Sequence, residues 1–358
     1  MNKVYNFSAG PAILPREAME AGSRACLEFQ GMGLSLLEIS HRSTEYQQVV
    51  TDACAIVKEL LGVPDGYTVM FLQGGASLQF AMAPMNILGD TETAAYVDTG
   101  VWAAKAIKEA RLFGNVEVLA SSKDANYNFI PKDYTVPAAA RYLHLTSNNT
   151  IYGTQLQSFP SVAVPLVCDM SSDIFSRPVD VSKFGLIYAG AQKNMGIAGT
   201  TLVIIREDWL GLGKRKLPSM LDYKLHADAG SMYNTPPAFA VYMALETLKW
   251  VKAEGGVAAM QKRNEEKAAA LYAEIDANPL FKGTSALEDR SRMNITFVME
   301  KPELEKEFLK EAEAAGLSGL KGHRSVGGFR ASIYNAMGLD GVQALVTLMR
   351  DFATRHAA

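Results

Sequence analysis

The stretch IYAGAQKNMGIAGTTLVII, residues 187–205, decides the fold because it joins two apolar, strand-like runs through a segment of small residues. Its one charged residue is Lys193. Continuous apolar strands of this kind are typical of a mostly parallel sheet that is covered on both faces. Ligands of such sheets bind beyond the carboxyl ends of the strands. The position of Lys193 therefore raises the question of what an amine does at that edge.

Strand-like runs alternate with helical patterns through the first two thirds of the chain. We predict strands over 67–72, 93–97, 116–120, 141–146, 165–170, 184–190 and 200–205. Helical patterns follow the first two runs, and a strongly amphipathic helix over 44–61 precedes them. This order predicts a large α/β domain around a mostly parallel, seven-stranded sheet.

The pattern changes after about residue 260. A charged amphipathic helix (261–275), a strand (292–299), a helix with Gly316 as its predicted C-cap, a strand (327–334) and a final helix (340–356) follow one another. They predict a small C-terminal α+β domain. We place the large domain at 15–260 and the small one at 261–358, with 1–14 packed beside them at the site. One long helix within 236–275 is expected to join the two domains.

Composition excludes several classes of protein. The chain has 358 residues, of which 48% are hydrophobic and 20% charged, so a globular protein is expected and a disordered one is not. A net charge of −3 without a Lys/Arg run gives no sign of nucleic-acid binding, and no apolar run reaches membrane-spanning length. Three cysteines without a CxxC spacing argue against a zinc site built on cysteine pairs. These features, and an N-terminus without an apolar signal region, predict a cytoplasmic protein.

A lysine just after a strand is usually a solvated loop cation, and that interpretation stays open for Lys193. The small residues around it, however, allow a flat ligand to approach the backbone. An amine beside apolar strands is partly desolvated, which lowers its pKa and favours a Schiff base with an aldehyde. Pyridoxal phosphate is the commonest aldehyde cofactor. It requires an acid at its ring nitrogen and a cradle for its phosphate.

The sequence offers candidates for these requirements, each with an ordinary alternative. Asp169 ends an apolar strand and is a candidate partner of the ring nitrogen, or else a helix N-cap. The segment LQGGASLQF, residues 72–80, follows a strand and opens a helix, which suits a phosphate, although two glycines often form only a tight turn. Trp102, at the start of the next helix, could stack on an aromatic cofactor or pack in the core.

Basic residues form two further clusters. His41 and Arg42 precede the helix over 44–61, and the segment KGHRSVGGFR, residues 321–330, contains His323, Arg324 and Arg330. Ordinary surface charge is one interpretation of these residues. The alternative is a pair of sites for anions, because the planar guanidinium suits carboxylate and phosphate oxygens. A substrate with several negative groups would account for both clusters.

With these residues assembled, the chain resembles the phosphoserine aminotransferase family of the class V aminotransferases, which have the type I fold of pyridoxal-phosphate enzymes. The motifs that carry the resemblance run in family order from residue 2 to the C-terminus: NFSAGPAILP, SHRSTEY, QGGASLQF, SNNTIYGTQ, CDMSSDIFSRPVDVSKFGLIYAGAQKN, YNTPP and KGHRSVGGFRASIYNA.

The resemblance implies roles for particular residues. Lys193 would bind the cofactor and move the proton, Asp169 would pair with the ring nitrogen, and the other cofactor contacts would be Trp102, Thr150, Ala76, Ser77 and Gln192, with Asn234 and Thr235 from the partner subunit of a homodimer. Substrate would be held by Ser8, His41, Arg42, His323, Arg324 and Arg330, with His41 and Arg42 reaching across the dimer interface. Some family members have an arginine in the phosphate loop, where this chain has Ala76 and Ser77.

The implied reaction is a reversible amino transfer between glutamate and 3-phosphohydroxypyruvate, in serine biosynthesis, with a related phosphohydroxythreonine substrate of pyridoxine biosynthesis as a second possibility. Other chemistry on the same fold is one alternative, such as a cysteine desulfurase or an alanine–glyoxylate aminotransferase. A non-catalytic phospholigand-binding protein is another. A dinucleotide-dependent dehydrogenase is disfavoured because no GxGxxG follows a strand.

Overall fold

The structure is a computed structural model and describes residues 3–356. Its helices are α1 (Arg16–Leu27), α2 (Thr44–Leu61), α3 (Gly75–Ile87), α4 (Val101–Ala110), α5 (Tyr223–Asp228), α6 (Ala238–Ala253), α7 (Gly256–Ala277), α8 (Glu305–Ala314) and α9 (Leu339–Arg355). Its strands are β1 (Tyr5–Asn6), β2 (Tyr67–Leu72), β3 (Thr93–Asp98), β4 (Asn115–Ser121), β5 (Leu143–Thr146), β6 (Asn148–Asn149), β7 (Thr154–Gln155), β8 (Leu166–Asp169), β9 (Phe184–Gly190), β10 (Thr201–Arg206), β11 (Phe281–Gly283), β12 (Asn294–Met299), β13 (Leu317–Ser318) and β14 (Phe329–Ser332).

The large sheet has seven strands in the order β2-β10-β9-β8-β5-β3-β4. The pairs from β9 to β4 are parallel, while β10 runs antiparallel to both of its neighbours. The predicted mostly parallel, seven-stranded α/β sheet is therefore confirmed. The ends of each of the seven predicted strands differ from those of an observed strand by two residues or fewer.

The antiparallel strand follows from the length of its connection. Residues 191–200 join β9 to β10, and so short a connection can turn the chain back but cannot return it to the same end of the sheet. The turn that carries Lys193 consequently lies at the carboxyl end of β9. The parallel strands β5 and β8 also end at this edge.

Both faces of the large sheet are covered, as the continuous apolar strands predict. On one face α2 and α6 pack over side chains such as Ile187 and Ile204; on the other, α3, α4 and the segment around Trp209 pack over Tyr188 and Val203. A separate core lies in the C-terminal part, between the sheet β11-β12-β14 and helices α7, α8 and α9. The domain limits at 15–260 and 261–358 stay a prediction.

A long helix, α7, lies largely within 236–275, but it does not span the whole of that range. The structure has two helices there, and they are separated at Gly255 and Gly256, whose φ angles are +98° and +74°. Glycine adopts this left-handed conformation without the cost that a Cβ brings. The break gives the helices different partners, since α6 packs on α1 and α2 whereas α7 packs on α9 and β11.

The N-terminal residues join the C-terminal part of the fold. Strand β1 pairs in parallel with β13, with Tyr5 opposite Leu317, and Phe7 is buried in the C-terminal core. The chain then returns to the large sheet, where the Ala12 amide donates to the Gln192 carbonyl at 2.9 Å. The first residues thus bridge the two cores beside Lys193. Within residues 3–356, no helix combines the length and apolarity that crossing a membrane demands.

Candidate active site

Lys193 lies in the turn after β9, and its amine faces a cavity instead of bulk solvent. Its Nζ donates to Thr150 Oγ1 at 2.8 Å. Burial lowers the pKa of Lys193 to about 8, although the nearby Asp169 carboxylate opposes the shift. The neutral form of the amine is therefore far more populated near neutral pH than in an ordinary lysine, as a nucleophile or a proton acceptor requires.

Asp169 is the last residue of β8, and its carboxylate is 95% buried. Oδ1 accepts from the Ser171 amide at 2.9 Å and from Ser171 Oγ at 2.6 Å; these contacts close a turn, and no helix begins at Asp169 in the described chain. No described residue donates to Oδ2. Burial raises the pKa of Asp169, and the Ser171 donors and the Lys193 charge counteract this. A buried acid with one free oxygen can accept a hydrogen bond from a protonated ring nitrogen.

The N-terminus of α3 provides a cradle for an anion. Gly74, the N-cap, has a φ of +87°, and a Cβ there would lie 2.4 Å from the Leu78 side chain. This glycine turns the chain sharply from β2 into the helix. No side chain caps the helix and no acidic residue lies in its first turn, so the amides of Gly75, Ala76 and Ser77 are available to phosphate oxygens.

Trp102 lies in the first turn of α4 and forms one wall of the cavity. Lys193 Nζ lies 5.4 Å from the centroid of its ring. Its indole Nε1 is buried and has no hydrogen-bond partner in the described part of the chain. A buried donor without a partner is costly, so this atom is a candidate contact for a ligand.

Basic side chains from the C-terminal part complete the cavity. Arg330 extends from β14, where its Nη1 donates to the Thr150 carbonyl at 3.4 Å and its buried Nε has no partner among the described residues. His323 and Arg324 precede it on the loop, and His323 Nδ1 lies 2.7 Å from Ser325 Oγ. Burial and the neighbouring arginines, Arg330 and Arg324, lower the pKa of His323.

All these groups line one cavity of about 610 Å³. Pyridoxal phosphate fits the donor set, because the cavity combines a desolvated amine, a buried acid with a free oxygen, an indole face and an uncapped helix N-terminus. The cavity brings together ten of the residues predicted from sequence: Ala76, Ser77, Trp102, Thr150, Asp169, Gln192, Lys193, His323, Arg324 and Arg330.

The remaining predicted residues do not line this cavity. Ser8 packs against Gly319, while its neighbours Ala9 and Gly10 reach the cavity. His41 and Arg42 lie just before α2, and Asn234 and Thr235 lie in the loop before α6. Asn234 Oδ1 is buried without a partner among the described residues. The roles of these five residues stay predictions.

Sequence reasoning missed several polar residues of the cavity wall, namely Lys105, Thr146, Asn148, Ser171, Ser172 and Ser325. Lys105 lies one helical turn beyond Trp102, with its Nζ 4.6 Å from the centroid of that ring. Ser171 holds Asp169 and also accepts from the Gly190 amide at 3.1 Å. The spacing of three residues from Trp102 was a usable signal for Lys105, because it places both on one helix face. Nothing in the sequence singled out Ser171.

The cysteines do not provide a reactive thiol. Cys168 is buried in β8, and burial raises its pKa well above the ordinary value. Cys54 is half-buried on α2, with a pKa raised to about 12 by burial. Neither these two nor Cys26, on α1, lines the cavity. A desulfurase requires an exposed thiolate at its site, so the described residues do not support that alternative.

Comparisons with known proteins identify the family of this chain. The sequence profile of the family Aminotransferase class-V matches residues 4–345. The phosphoserine aminotransferase of Bacteroides fragilis is 58% identical over 356 residues, which are 99% of this chain and 100% of that protein.

Solved structures are similar as well. The phosphoserine aminotransferase of Bacillus circulans subsp. alkalophilus superposes with a TM-score of 0.96 at 49% identity and covers 99% of both chains. The pyridoxal-phosphate-bound phosphoserine aminotransferase of Trichomonas vaginalis superposes with a TM-score of 0.92 at 38% identity and covers 97% of this chain and 100% of that one. The chain therefore belongs to the class V aminotransferases.

Proposed function

We propose that this protein is a pyridoxal-phosphate-dependent phosphoserine aminotransferase, which transfers the amino group reversibly between glutamate and 3-phosphohydroxypyruvate. The observation that carries the proposal is the cavity in which Lys193 and Asp169 face an uncapped helix N-terminus at one end and Arg330, His323 and Arg324 at the other. The first group suits the cofactor, and the second suits a substrate with two anionic ends. The similarity to phosphoserine aminotransferases supports the choice of substrate.

Pyridoxal phosphate, bound through Lys193, supplies an electron sink that accepts the electron pair of the Cα–H bond of an amino acid. The free Lys193 amine would take a proton at Nζ and return it. Its lowered pKa suits this exchange near neutral pH. Thr150, which accepts from Nζ at 2.8 Å, supports the position of the amine.

Other residues hold the reactants. Asp169 Oδ2 would keep a proton on the ring nitrogen of the cofactor, and the two Ser171 donors fix the carboxylate. The indole of Trp102 would stack on the ring, while Ala76, Ser77 and Gln192 would hold the cofactor phosphate. These contacts orient the cofactor and exclude water from one of its faces.

Substrate selection would come from the basic end of the cavity. Arg330 binds the α-carboxylate, with Ser8 nearby, and its unpartnered Nε supports this role. His323 and Arg324 bind the distal anion. A substrate without that anion leaves desolvated cations unpaired, so a site of this kind discriminates strongly against it. Pyruvate is accordingly expected to be a poor amino acceptor.

The predicted homodimer would complete the site. His41 and Arg42, together with Asn234 and Thr235, would enter the partner's cavity, because none of them lines the cavity of its own chain. Large apolar side chains near these segments are exposed: Leu34, Leu37 and Tyr233 have relative exposures of 47%, 61% and 42%. Exposed apolar groups beside polar ones are typical of a protein interface. A cytoplasmic location belongs to the same proposal.

An absorbance spectrum of the purified protein tests the proposal. We expect a visible band that fades when glutamate is added and returns with 3-phosphohydroxypyruvate. We expect Lys193→Ala to abolish this band. Borohydride should link the cofactor covalently to the wild-type protein but not to the variant. A band that returns only with other keto acids would retain the aminotransferase and reject this substrate. A protein that forms no band even with added pyridoxal phosphate would reject the proposal altogether.

A further inference from the structure

Lys105 is the cation in the cavity wall that the proposed reaction leaves without a role. It lies on α4, and its Nζ is 4.6 Å from the centroid of the Trp102 ring. Lys193 Nζ lies 5.4 Å from the same centroid. Because both distances are measured from one point, the separation of the two Nζ atoms is at most their sum. A small substrate can span that separation.

Lys105 is an exposed residue, but among the described residues it lacks the ion pair that a lysine on a helix surface commonly forms. Glu109 lies four residues further along α4, and lysine and glutamate at that spacing commonly pair on a helix surface. Lys105 forms no ion pair or side-chain hydrogen bond among residues 3–356. Its ammonium instead lies over the indole face, an arrangement that restrains the side chain without neutralising its charge.

The distribution of charge around the cavity indicates what this ammonium faces. Asp169 is the one acidic side chain among the described residues of the wall, and it lies beside Lys193 at the cofactor end. The part of the wall formed by α3 contributes Gly75, Ala76, Ser77 and Phe80, none of which carries a charge. Lys105 is thus the cation that the α3 and α4 side of the described wall presents, in the same cavity as the His323–Arg324 loop.

We propose that Lys105 is a substrate-binding residue that contacts the distal anionic group of the substrate, namely the phosphate of O-phospho-L-serine or the side-chain carboxylate of glutamate. The contact rests on the proposed function. Substrate reacts at Lys193 and is held by Arg330 at its α-carboxylate, so its far end lies between Lys105 and the His323–Arg324 loop. A lysine there acts as a point charge and accepts either a phosphate or a carboxylate.

The test uses the holoenzyme with Lys105→Met, which keeps the length and apolar stem of the side chain and removes the charge. Lys108→Met is the matched control, because Lys108 is an exposed lysine on the same helix outside the cavity wall. We expect Lys105→Met to raise the KM of a substrate with a distal anion about 10- to 100-fold, the range of one lost charge-assisted hydrogen bond. The kcat should change little, and Lys105→Arg should restore most of the loss.

Comparison of substrates identifies the anion. A rise in KM for O-phospho-L-serine alone assigns Lys105 to the phosphate, and a rise for glutamate alone assigns it to the carboxylate. L-alanine, which has no distal anion, should react as poorly with the variant as with the wild type. Inorganic phosphate, used as a competitive inhibitor of O-phospho-L-serine, should lose affinity in Lys105→Met if the phosphate is the contact.

Three results would overturn the inference. They are unchanged KM values for both anionic substrates, an equal loss for L-alanine, and a weakened affinity for pyridoxal phosphate with unchanged substrate constants. The affinity for the cofactor is measured separately, by titrating the visible band of the apoprotein. If wild type does not convert O-phospho-L-serine at all, the proposed function itself fails, and that result is distinct from the three above.

Discussion

At the residue scale, the chemistry of this protein depends on how little water reaches a few ionisable groups. Burial lowers the pKa of Lys193 to about 8 and raises that of Asp169, and each charge partly opposes the shift of the other. Ser171 donates twice to one oxygen of Asp169 and leaves the other free. Lys193 can therefore lose its proton, while Asp169 keeps one oxygen free to accept a hydrogen bond from a protonated group.

The lowered pKa of Lys193 predicts a pH dependence for cofactor uptake. Only the neutral amine attacks an aldehyde, so the rate at which the apoprotein binds pyridoxal phosphate should rise with pH to a midpoint near 8. The measurement is the growth of the visible band after mixing, at pH values from 6 to about 10. N-acetyl-lysine methylamide with the same aldehyde is the control, and its midpoint should lie near the ordinary lysine pKa. A protein midpoint equal to that of the control would contradict the role of burial.

At the scale of elements, the turn between β14 and α9 connects the substrate side of the site to the lysine side. Lys267, on α7, is fully buried and donates to the carbonyls of Ile333, Tyr334 and Met337 at 2.8, 2.7 and 2.9 Å. The next residue of the turn, Asn335, donates its amide to Asn194 Oδ1 at 3.0 Å, directly beside Lys193. One buried amine thus holds the turn that follows the strand of Arg330.

We expect Lys267→Met to lower the free energy of unfolding by at least about 2 kcal/mol, because three buried carbonyls lose their donor. Burial lowers the pKa of Lys267 to about 7, so the folded protein releases this proton between pH 7 and about 10, where the unfolded chain retains it. The unfolded state then binds more protons, and this lysine's contribution to stability rises with pH. The difference in the free energy of unfolding between wild type and Lys267→Met should accordingly increase from pH 7 to about 9.

Urea unfolding at the two pH values measures both effects. Lys262→Met is the control, because Lys262 is an exposed lysine of the same helix. The control should remain within about 0.5 kcal/mol of wild type, as is usual for surface substitutions. A Lys267→Met protein as stable as the control would show that the carbonyls find other donors. A gap that narrows with rising pH would contradict the depressed pKa.

At the scale of the whole molecule, the cavity lies between the large sheet and the C-terminal part of the chain. Lys193, Asp169 and the α3 N-terminus come from the first, whereas Arg330 and the His323–Arg324 loop come from the second. A second set of predicted residues, around His41 and Asn234, lies outside the cavity and beside exposed apolar side chains. These positions are consistent with the proposed homodimer, in which each chain would contribute residues to the site of its partner.

Shared sites predict complementation between inactive variants. Lys193→Ala and Arg42→Ala should each have little activity alone. In a mixed dimer one site receives its lysine and its partner arginine from intact segments, so activity should exceed that of both parents. Co-expression with two affinity tags and tandem purification isolates the mixed species.

The pair His41→Ala with Arg42→Ala is the matched control for this experiment. Both changes lie on the same predicted segment, so every site of that mixed dimer receives one altered segment and no gain is expected. If the Lys193→Ala and Arg42→Ala dimer also showed no gain, Arg42 would act in its own chain or not at all, and the shared site would be rejected.

Local patterns were sufficient for much of the fold. The strands over 67–72 and 184–190 match β2 and β9, and the helix over 44–61 matches α2, because apolar periodicity and the Ser43 cap act over short distances. The region 236–275 holds two helices because two adjacent glycines with positive φ interrupt the helical pattern around them. The sequence alone also identified Lys193, Asp169 and Trp102 as candidates, since each lies at or just beyond the carboxyl end of a strand.

Tertiary structure decided what a linear pattern does not contain. The charged residue Lys267 lies in a helix that reads as amphipathic, yet it is fully buried because carbonyls from the turn before α9 surround it. In the sequence, Lys105 is indistinguishable from a helical surface lysine. In the structure, it lines the same cavity as Lys193. The sequence by itself determined which elements form and which residue types could do the chemistry. Burial, pKa and the membership of one cavity depend on distances between segments far apart in the chain, and only the folded structure sets those.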